Sequence, residues 1–202
     1  YLAGKSVTKN GITRNLRDLK NLWINVVSID KSGKEAYYTN RAGDESYLWT
    51  ISAHGGNTYT DGGVMSVESL GTYIRYQGTS MAAPTVTGGL ALIMDKFLND
   101  DNYNSSSNKH MTVELCVDRL FQTATYVGLT ADGSKPSVAN NKIFGYGKMD
   151  LDAALQDMTK VQFDALQTFS TNRFNAIDGL STFSIDPSKK FINSVNKDRI
   201  LF

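Results

Sequence analysis

Residues 78–88 read GTSMAAPTVTG, and this stretch decides the fold. It follows a short strand pattern at Tyr73–Tyr76 and opens an almost wholly apolar run that continues to Leu98. An apolar run of this length with no polar face predicts a long helix that is central and buried. Pro84 lies in the early turns of that helix, where we expect its missing N–H to do least harm.

Ser80 lies where a tight glycine turn leads into the predicted helix. Backbone N–H groups at a helix start lack intrahelical acceptors, and the helix dipole adds positive potential there. A serine held at that point could attack a carbonyl carbon and help to stabilise the negative oxygen that results. The alternative is that Ser80 only caps the helix, which is the commoner role for a serine in this position.

The rest of the chain alternates predicted strands with predicted helices. Residues 22–29 and 47–52 predict buried strands, and residues 60–71 predict a loop or hairpin. Residues 99–109 predict a polar loop, Thr112 an N-cap of a second helix, and residues 149–155 the start of a third. This alternation indicates an α/β layered fold. Beyond Met158, phenylalanines scattered among polar residues indicate either a packed extension or the start of something else.

Composition excludes several classes of protein. The 202 residues, 41% hydrophobic and 20% charged, predict an ordinary soluble globular chain. A net charge of +1 gives no electrostatic reason to bind nucleic acid or an anionic membrane. No apolar run approaches the roughly 20 residues of a membrane helix. Cys116 is the single cysteine, which excludes an internal disulfide and indicates a small core residue.

Residues 78–88 resemble the signature around the nucleophile of subtilisin-like serine proteases, the subtilases of peptidase family S8. Four further segments resemble the same family: the valine-rich residues 26–30, the turn at 40–43, the helix at 120–124 and the closing segment 145–155. Together they cover roughly residues 22–157. The sequence NRAG at residues 40–43 is most similar to that of subtilase domains of bacterial autotransporters.

The resemblance implies a subtilisin-like α/β fold, in which a mostly parallel sheet is flanked by helices and the nucleophile starts a buried helix. The chain would be the C-terminal half of that domain, with residues 1–157 in the peptidase domain and 158–202 an extension of unknown role. Because the first residue is Tyr1 with no signal segment ahead of it, we expect a processed chain or part of a longer protein.

The resemblance also implies site residues. Ser80 would be the nucleophile of a serine endopeptidase, with its N–H as half of the oxyanion hole, and Thr79, Leu2, Ala3 and Gly4 would line the substrate cleft. Lys5 falls where the family has the asparagine that supplies the other oxyanion donor. Losing such a donor costs about 100- to 1,000-fold in turnover. A peptide or protein substrate, no cofactor, and a secreted or bacterial cell-surface location follow from the same resemblance.

The family's aspartate and histidine motifs are absent from this sequence. A serine hydroxyl needs a histidine base and an orienting carboxylate. His54 falls on the family's Ala-Pro-Gly loop, and His110 precedes a helix, so neither is predicted to be the base. We therefore expect the missing triad members upstream of or outside this chain, with the N-terminal half of the domain as partner and this chain alone inactive. The alternative is an inactive subtilase-fold pseudoprotease that serves as a binding or scaffold module.

Metal binding is not predicted from the acidic residues. Asp150, Asp152 and Asp157 lie around a helix start, where carboxylates favour the dipole, so helix capping and solvation are the preferred interpretation. Asp100 and Asp101 belong to the polar loop.

Overall fold

The computed structural model describes residues 6–15, 23–104, 110–125 and 142–179. The strands are β1 Ser6–Lys9, β2 Ile12–Asn15, β3 Asn25–Ile29, β4 Thr50–His54, β5 Val64–Val67 and β6 Tyr73–Tyr76. The helices are α1 Gly43–Ser46, α2 Thr79–Leu98, α3 Asp101–Asn104, α4 Val113–Gln122, α5 Leu151–Ala154 and α6 Lys160–Gly179. Single 3-10 turns occur at Tyr47–Trp49 and Ser69–Gly71.

Strands β3 and β4 run parallel and form the buried centre of the sheet, with Val27 opposite Ser52. On the other side of β4, the Ser52 N–H donates to the Gly147 carbonyl at 2.7 Å, and the Met149 N–H donates to the Ser52 carbonyl at 2.8 Å. The β1–β2 and β5–β6 pairs are antiparallel hairpins. Helices α2 and α4 pack together, and α2 also packs on the parallel pair. The predicted α/β class is confirmed.

Helix α2 buries one face only within the described part of the chain. Val86, Ile93 and Phe97 are buried, whereas Leu92 is 52% exposed. The prediction that α2 is buried all round is therefore wrong for these residues. Only the face that meets the sheet and α4 is covered, so the remaining apolar and small residues lie at the surface.

Pro84 lies in the early turns of α2, as predicted, but in the second turn and not the first. It is the sixth residue of the helix, beyond the first turn of N–H groups that have no intrahelical acceptor. A proline there cannot donate to the carbonyl four residues earlier, which belongs to Ser80. The expectation that its missing N–H does least harm is wrong, because one helical hydrogen bond is lost in the turn that carries Ser80.

Three local predictions were tested by the structure. Thr112 is the N-cap of α4, and its hydroxyl oxygen accepts the Leu115 N–H at 3.2 Å, as predicted. Residues 47–49 form a 3-10 turn rather than a strand, and β4 runs on to His54. The predicted polar loop after α2 contains the short helix α3, in which Tyr103 is buried against Phe97.

Helix α6 belongs to the same core. Phe163 and Leu166 are fully buried members of the cluster that includes α2 and α4. The Met158 N–H donates to the Tyr103 hydroxyl at 2.7 Å, which joins the start of this segment to the region after α2. Further along, the buried Arg173 pairs with the buried Asp118 of α4. Of the two possibilities for the region beyond Met158, the described residues form a packed extension.

Candidate active site

Ser80 is the second residue of α2 and is exposed. The N-cap position is taken by Gly78, and no side chain caps the helix there. The hydroxyl of Ser80 makes no hydrogen bond to another residue within the described ranges. Because a capping serine would occupy the N-cap and bond to a first-turn N–H, the capping interpretation is wrong. Ser80 is instead an exposed residue of the first turn, where the N–H groups of Thr79 and Ser80 lack intrahelical acceptors.

The turn before Ser80 is attached directly to the end of β4. The Gly78 N–H donates to the Gly55 carbonyl at 2.9 Å, and the Gly78 carbonyl accepts from the N–H groups of Met81 and Ala82. Gly78 has a φ of 151°, a conformation that favours glycine. A Cβ built on Gly55 would lie 2.5 Å from the Gly78 carbonyl oxygen and 2.0 Å from Ser28 Oγ. Both glycines are thus required by the backbone contact that leads into Ser80.

The other predicted cleft residues divide into two groups. Thr79 is the first residue of α2, partly exposed and directly beside Ser80. Leu2, Ala3, Gly4 and the adjacent Lys5 lie outside the described residues.

His54 is paired with Asp61, a residue that the sequence analysis did not single out. His54 Nε2 lies 2.9 Å from Asp61 Oδ2, and the two side chains are 38% and 2% exposed. Burial alone would raise the pKa of the Asp61 carboxyl, but hydrogen bonds from His54 and from the backbone N–H groups of Asn57, Gly63 and Lys31 hold it well below its usual range. Within the described residues, no hydrogen bond joins either histidine to Ser80. The sequence feature that could have predicted this pair is the position of Asp61, in the glycine-rich loop seven residues after His54.

Asp30 makes a second buried carboxylate anchor for the same loop. Its Oδ1 accepts the N–H groups of Ser32 and Lys34, and its Oδ2 accepts the Thr60 hydroxyl at 3.0 Å. Burial acts to raise the pKa of Asp30, yet these hydrogen bonds lower it overall. The loop between β4 and β5 is therefore held on the turn after β3 by Asp30 and Asp61.

An aromatic group lies beside the Ser80 turn, and the sequence analysis missed it too. The ring centroids of Tyr37 and Tyr59 are 5.2 Å apart, and the two residues are 60% and 81% exposed. Gln77 Nε2 donates to the Tyr37 hydroxyl at 2.6 Å, three residues before Ser80. Tyr38 contacts Tyr37 edge to face but points inward, with its hydroxyl near Gly55 and Gly56.

Asp150 and Cys116 have structural positions. Asp150 is the N-cap of α5, its Oδ1 accepts the Ala153 N–H at 2.9 Å, and this hydrogen bond lowers its pKa, so the predicted capping is confirmed. Cys116 is fully buried, as predicted, and burial raises the pKa of its thiol to about 12.

Across the described residues, no three His, Cys, Asp or Glu side chains are grouped to hold a metal ion. No helix among them is both long and apolar enough to span a membrane.

Taken together, the fold and the exposed serine at the start of α2 define an α/β protein in which a glycine turn leads from the parallel strands into the helix that carries Ser80. The profile of the Subtilase family matches residues 8–147, which is more than half of the chain and includes this turn. The chain belongs to the subtilase family.

Two curated proteins are similar in sequence. Serotype-specific antigen 1 of Mannheimia haemolytica is 28% identical over 151 residues, which are 74% of this chain and 14% of that protein. The epidermin leader peptide-processing serine protease EpiP of Staphylococcus epidermidis is 27% identical over 143 residues, 71% of this chain and 24% of that protein. The chain thus spans a quarter or less of the length of these relatives.

Two solved structures are similar over part of their length. A mutant of the protease domain of PatA has a TM-score of 0.44 and 18% identity, with 72% of this chain and 40% of that chain covered. MycP1 from Mycobacterium smegmatis has a TM-score of 0.44 and 20% identity, with 69% of this chain and 31% of that chain covered.

Proposed function

We propose that this chain supplies the nucleophile half of a serine endopeptidase, with Ser80 as the nucleophile. The observation that carries the proposal is the exposed Ser80 on the first turn of α2, next to first-turn N–H donors and not engaged as a cap. Membership of the subtilase family supports the same chemistry. A relative that is itself named a serine protease, EpiP, adds support at the level of the family.

In the proposed reaction, Ser80 Oγ attacks the carbonyl carbon of the scissile peptide bond. A histidine from outside this chain accepts the hydroxyl proton and passes it to the leaving amine when the C–N bond breaks. The resulting ester on Ser80 is cleaved by water, which restores the hydroxyl and releases the carboxyl product. The Ser80 N–H, at the positive end of α2, stabilises the oxygen that becomes negative in each step.

Residues outside this chain are part of the proposal. His54 is occupied by Asp61, and His110 is exposed ahead of α4, so the base and its orienting aspartate would come from the N-terminal half of the domain. The uncovered apolar face of α2, which includes Leu92, supports such a partner. Leu2, Ala3, Gly4 and Thr79 would line the peptide cleft. The family resemblance supports export to the cell surface or beyond, including the autotransporter type.

The test is active-site labelling of the full-length gene product with a fluorophosphonate probe. We expect one labelled serine, identified as Ser80 by peptide mass spectrometry, and cleavage of fluorescent casein. Ser80→Ala should abolish both signals. Ser66→Ala, at an exposed serine of β5, is the matched control and should leave both unchanged.

A folded full-length protein that neither labels at Ser80 nor cleaves casein would overturn the proposal. That result would favour an inactive subtilase-fold module that only binds partners.

A further inference from the structure

The hydroxyl of Tyr38 lies where three segments of the chain meet. Its oxygen is 2.7 Å from Ser28 Oγ in β3, and it donates to the carbonyls of Gly56 at 2.6 Å and Gly55 at 3.0 Å, just after β4. The phenol has one proton, which the two carbonyls share, while the Ser28 hydroxyl can donate to the phenol oxygen. The Tyr38 ring thus connects β3 to the segment that leaves β4.

That segment is the support of the Ser80 turn. The Gly55 carbonyl that accepts from Tyr38 also accepts the Gly78 N–H, and the Gly78 carbonyl in turn accepts the first N–H bonds of α2. The backbones of Gly55 and Gly78 are closely packed, since a Cβ on Gly55 would lie 2.5 Å from the Gly78 carbonyl oxygen. A displacement of Gly55 is therefore transmitted through its hydrogen bond with the Gly78 N–H to the N-cap residue of the helix that carries Ser80.

The chemistry of Tyr38 suits a constant donor. Burial raises the pKa of its hydroxyl, against the lowering effect of the hydrogen bond with Ser28. The phenol therefore stays protonated at neutral pH and continues to donate to the two carbonyls. The neighbouring Tyr37 differs in each respect, because it is 60% exposed and its hydroxyl accepts from Gln77.

We propose that the Tyr38 hydroxyl is a positioning group for the nucleophile: by tying the carbonyls of Gly55 and Gly56 to β3, it fixes Gly78 and so the orientation of Ser80. This inference rests on the proposed function. Tyr38 is not assigned any contact with the reacting atoms. It acts on the geometry of attack and not on the binding of substrate, so its loss should appear in kcat and not in KM.

The experiment compares Tyr38→Phe with Tyr37→Phe in the full-length protein. Each variant removes one hydroxyl from adjacent rings, so Tyr37→Phe is the matched control. We expect Tyr38→Phe to lower kcat on fluorescent casein about tenfold, since small misplacements of reacting groups carry large rate costs. KM should stay within about twofold, and the fluorophosphonate should still label every molecule at Ser80, only more slowly. Tyr37→Phe should match the wild type in all three measurements.

Two results would overturn the inference. One is a kcat of Tyr38→Phe equal to that of the wild type. The other is an equal loss of kcat in Tyr37→Phe. A fall in the fraction of labelled molecules with no change in labelling rate would indicate that Tyr38→Phe is partly unfolded. If Tyr38→Phe does not fold, Ser28→Ala decides the question, because it removes only the hydroxyl that faces the phenol. A several-fold loss of kcat supports the inference, and none contradicts it.

Failure of the proposed function gives a different pattern. If the wild type neither labels at Ser80 nor cleaves casein, the proposed function fails and the inference fails with it. If the wild type is active and Tyr38→Phe has the same kcat as the wild type, the inference fails but the proposed function stands.

Discussion

Helices α2 and α6 are both 20 residues long, yet they meet the rest of the molecule in opposite ways. Helix α2 is apolar around most of its circumference and buries a single stripe, so that Leu92 is left exposed. Helix α6 has a polar outer surface and holds its inner face with Phe163, Leu166 and the buried Arg173. Within the described residues, α6 buries its apolar face, whereas α2 leaves apolar residues exposed, which supports the proposal that residues outside this chain cover them.

The attachment of the two helices differs in chemistry as well. The start of α2 is fixed by backbone hydrogen bonds between glycines, and the nearby loop is held by the carboxylates of Asp30 and Asp61. Helix α6 is held by apolar packing and by one guanidinium, that of Arg173, which pairs with Asp118 and lies over the rings of Phe121 and Phe174. The first arrangement leaves a serine accessible, and the second closes a core.

The largest effect is expected at the ion pair of α6. In Arg173→Met, the buried Asp118 carboxylate loses its charged partner, which should lower the free energy of unfolding by about 3–5 kcal/mol. The measurement is urea unfolding of the full-length protein. The double variant Arg173→Met/Asp118→Leu should recover most of the loss, since paired hydrophobic replacements remove both charges. Lys160→Met, at an exposed pair in the same helix, should cost no more than about 0.5 kcal/mol. A double variant as unstable as the single one would contradict this account.

A smaller effect is expected at the two faces of α2. Ile93→Ala removes a fully buried side chain and should cost about 2–4 kcal/mol. Leu92→Ala should cost nearly as much in the full-length protein, because we expect residues outside this chain to cover that face. As an independent check, the cysteine of a Leu92→Cys variant should resist a thiol reagent. The native Cys116 is buried and should not react, so it adds no background signal. A Leu92→Ala cost below about 0.5 kcal/mol would show that this face is open to solvent.

The smallest effect is expected at the loop beside α2. The folded pKa of Asp61 is depressed, so its stabilising contribution is fully present above the unfolded pKa of about 3.9 and is lost as the pH falls through the lower folded pKa. Asp61→Asn should cost about 2 kcal/mol at neutral pH and flatten the acid limb of the stability profile. Hydrogen exchange should show the loss at the amides of Lys31, Asn57 and Gly63. Unchanged protection at those amides would contradict the assignment of Asp61 as their acceptor.

Local features of the sequence predicted the Ser80 region well. The glycine turn, the start of α2 and the Thr112 cap depend on residues close together in the chain, and the structure shows each of them. Distant partners could not be predicted in the same way. Arg173 and Asp118 are 55 residues apart, and nothing in either neighbourhood identifies the other. The burial of Tyr103 in a polar stretch was missed for the same reason, because its partners Phe97 and Phe163 meet it only through tertiary packing.

The two sides of α2 also show the limit of periodicity. An apolar circumference predicted complete burial, but periodicity does not say which parts of the protein cover each side of a helix. In the described residues, only one side of α2 is covered. The glycines at 88 and 89 illustrate this: Gly89 is buried near Met149, and Gly88 is exposed.

The hydrogen bond from the Met158 N–H to Tyr103 has a practical consequence for anyone who trims this gene. The family match ends at residue 147, and an expression clone cut there would delete α5 and α6 together. The rings of Tyr103, Phe121 and Tyr146 would then face water, and the recombinant product would aggregate. A clone therefore needs at least the coding sequence of α5 and α6, which extends through residue 179.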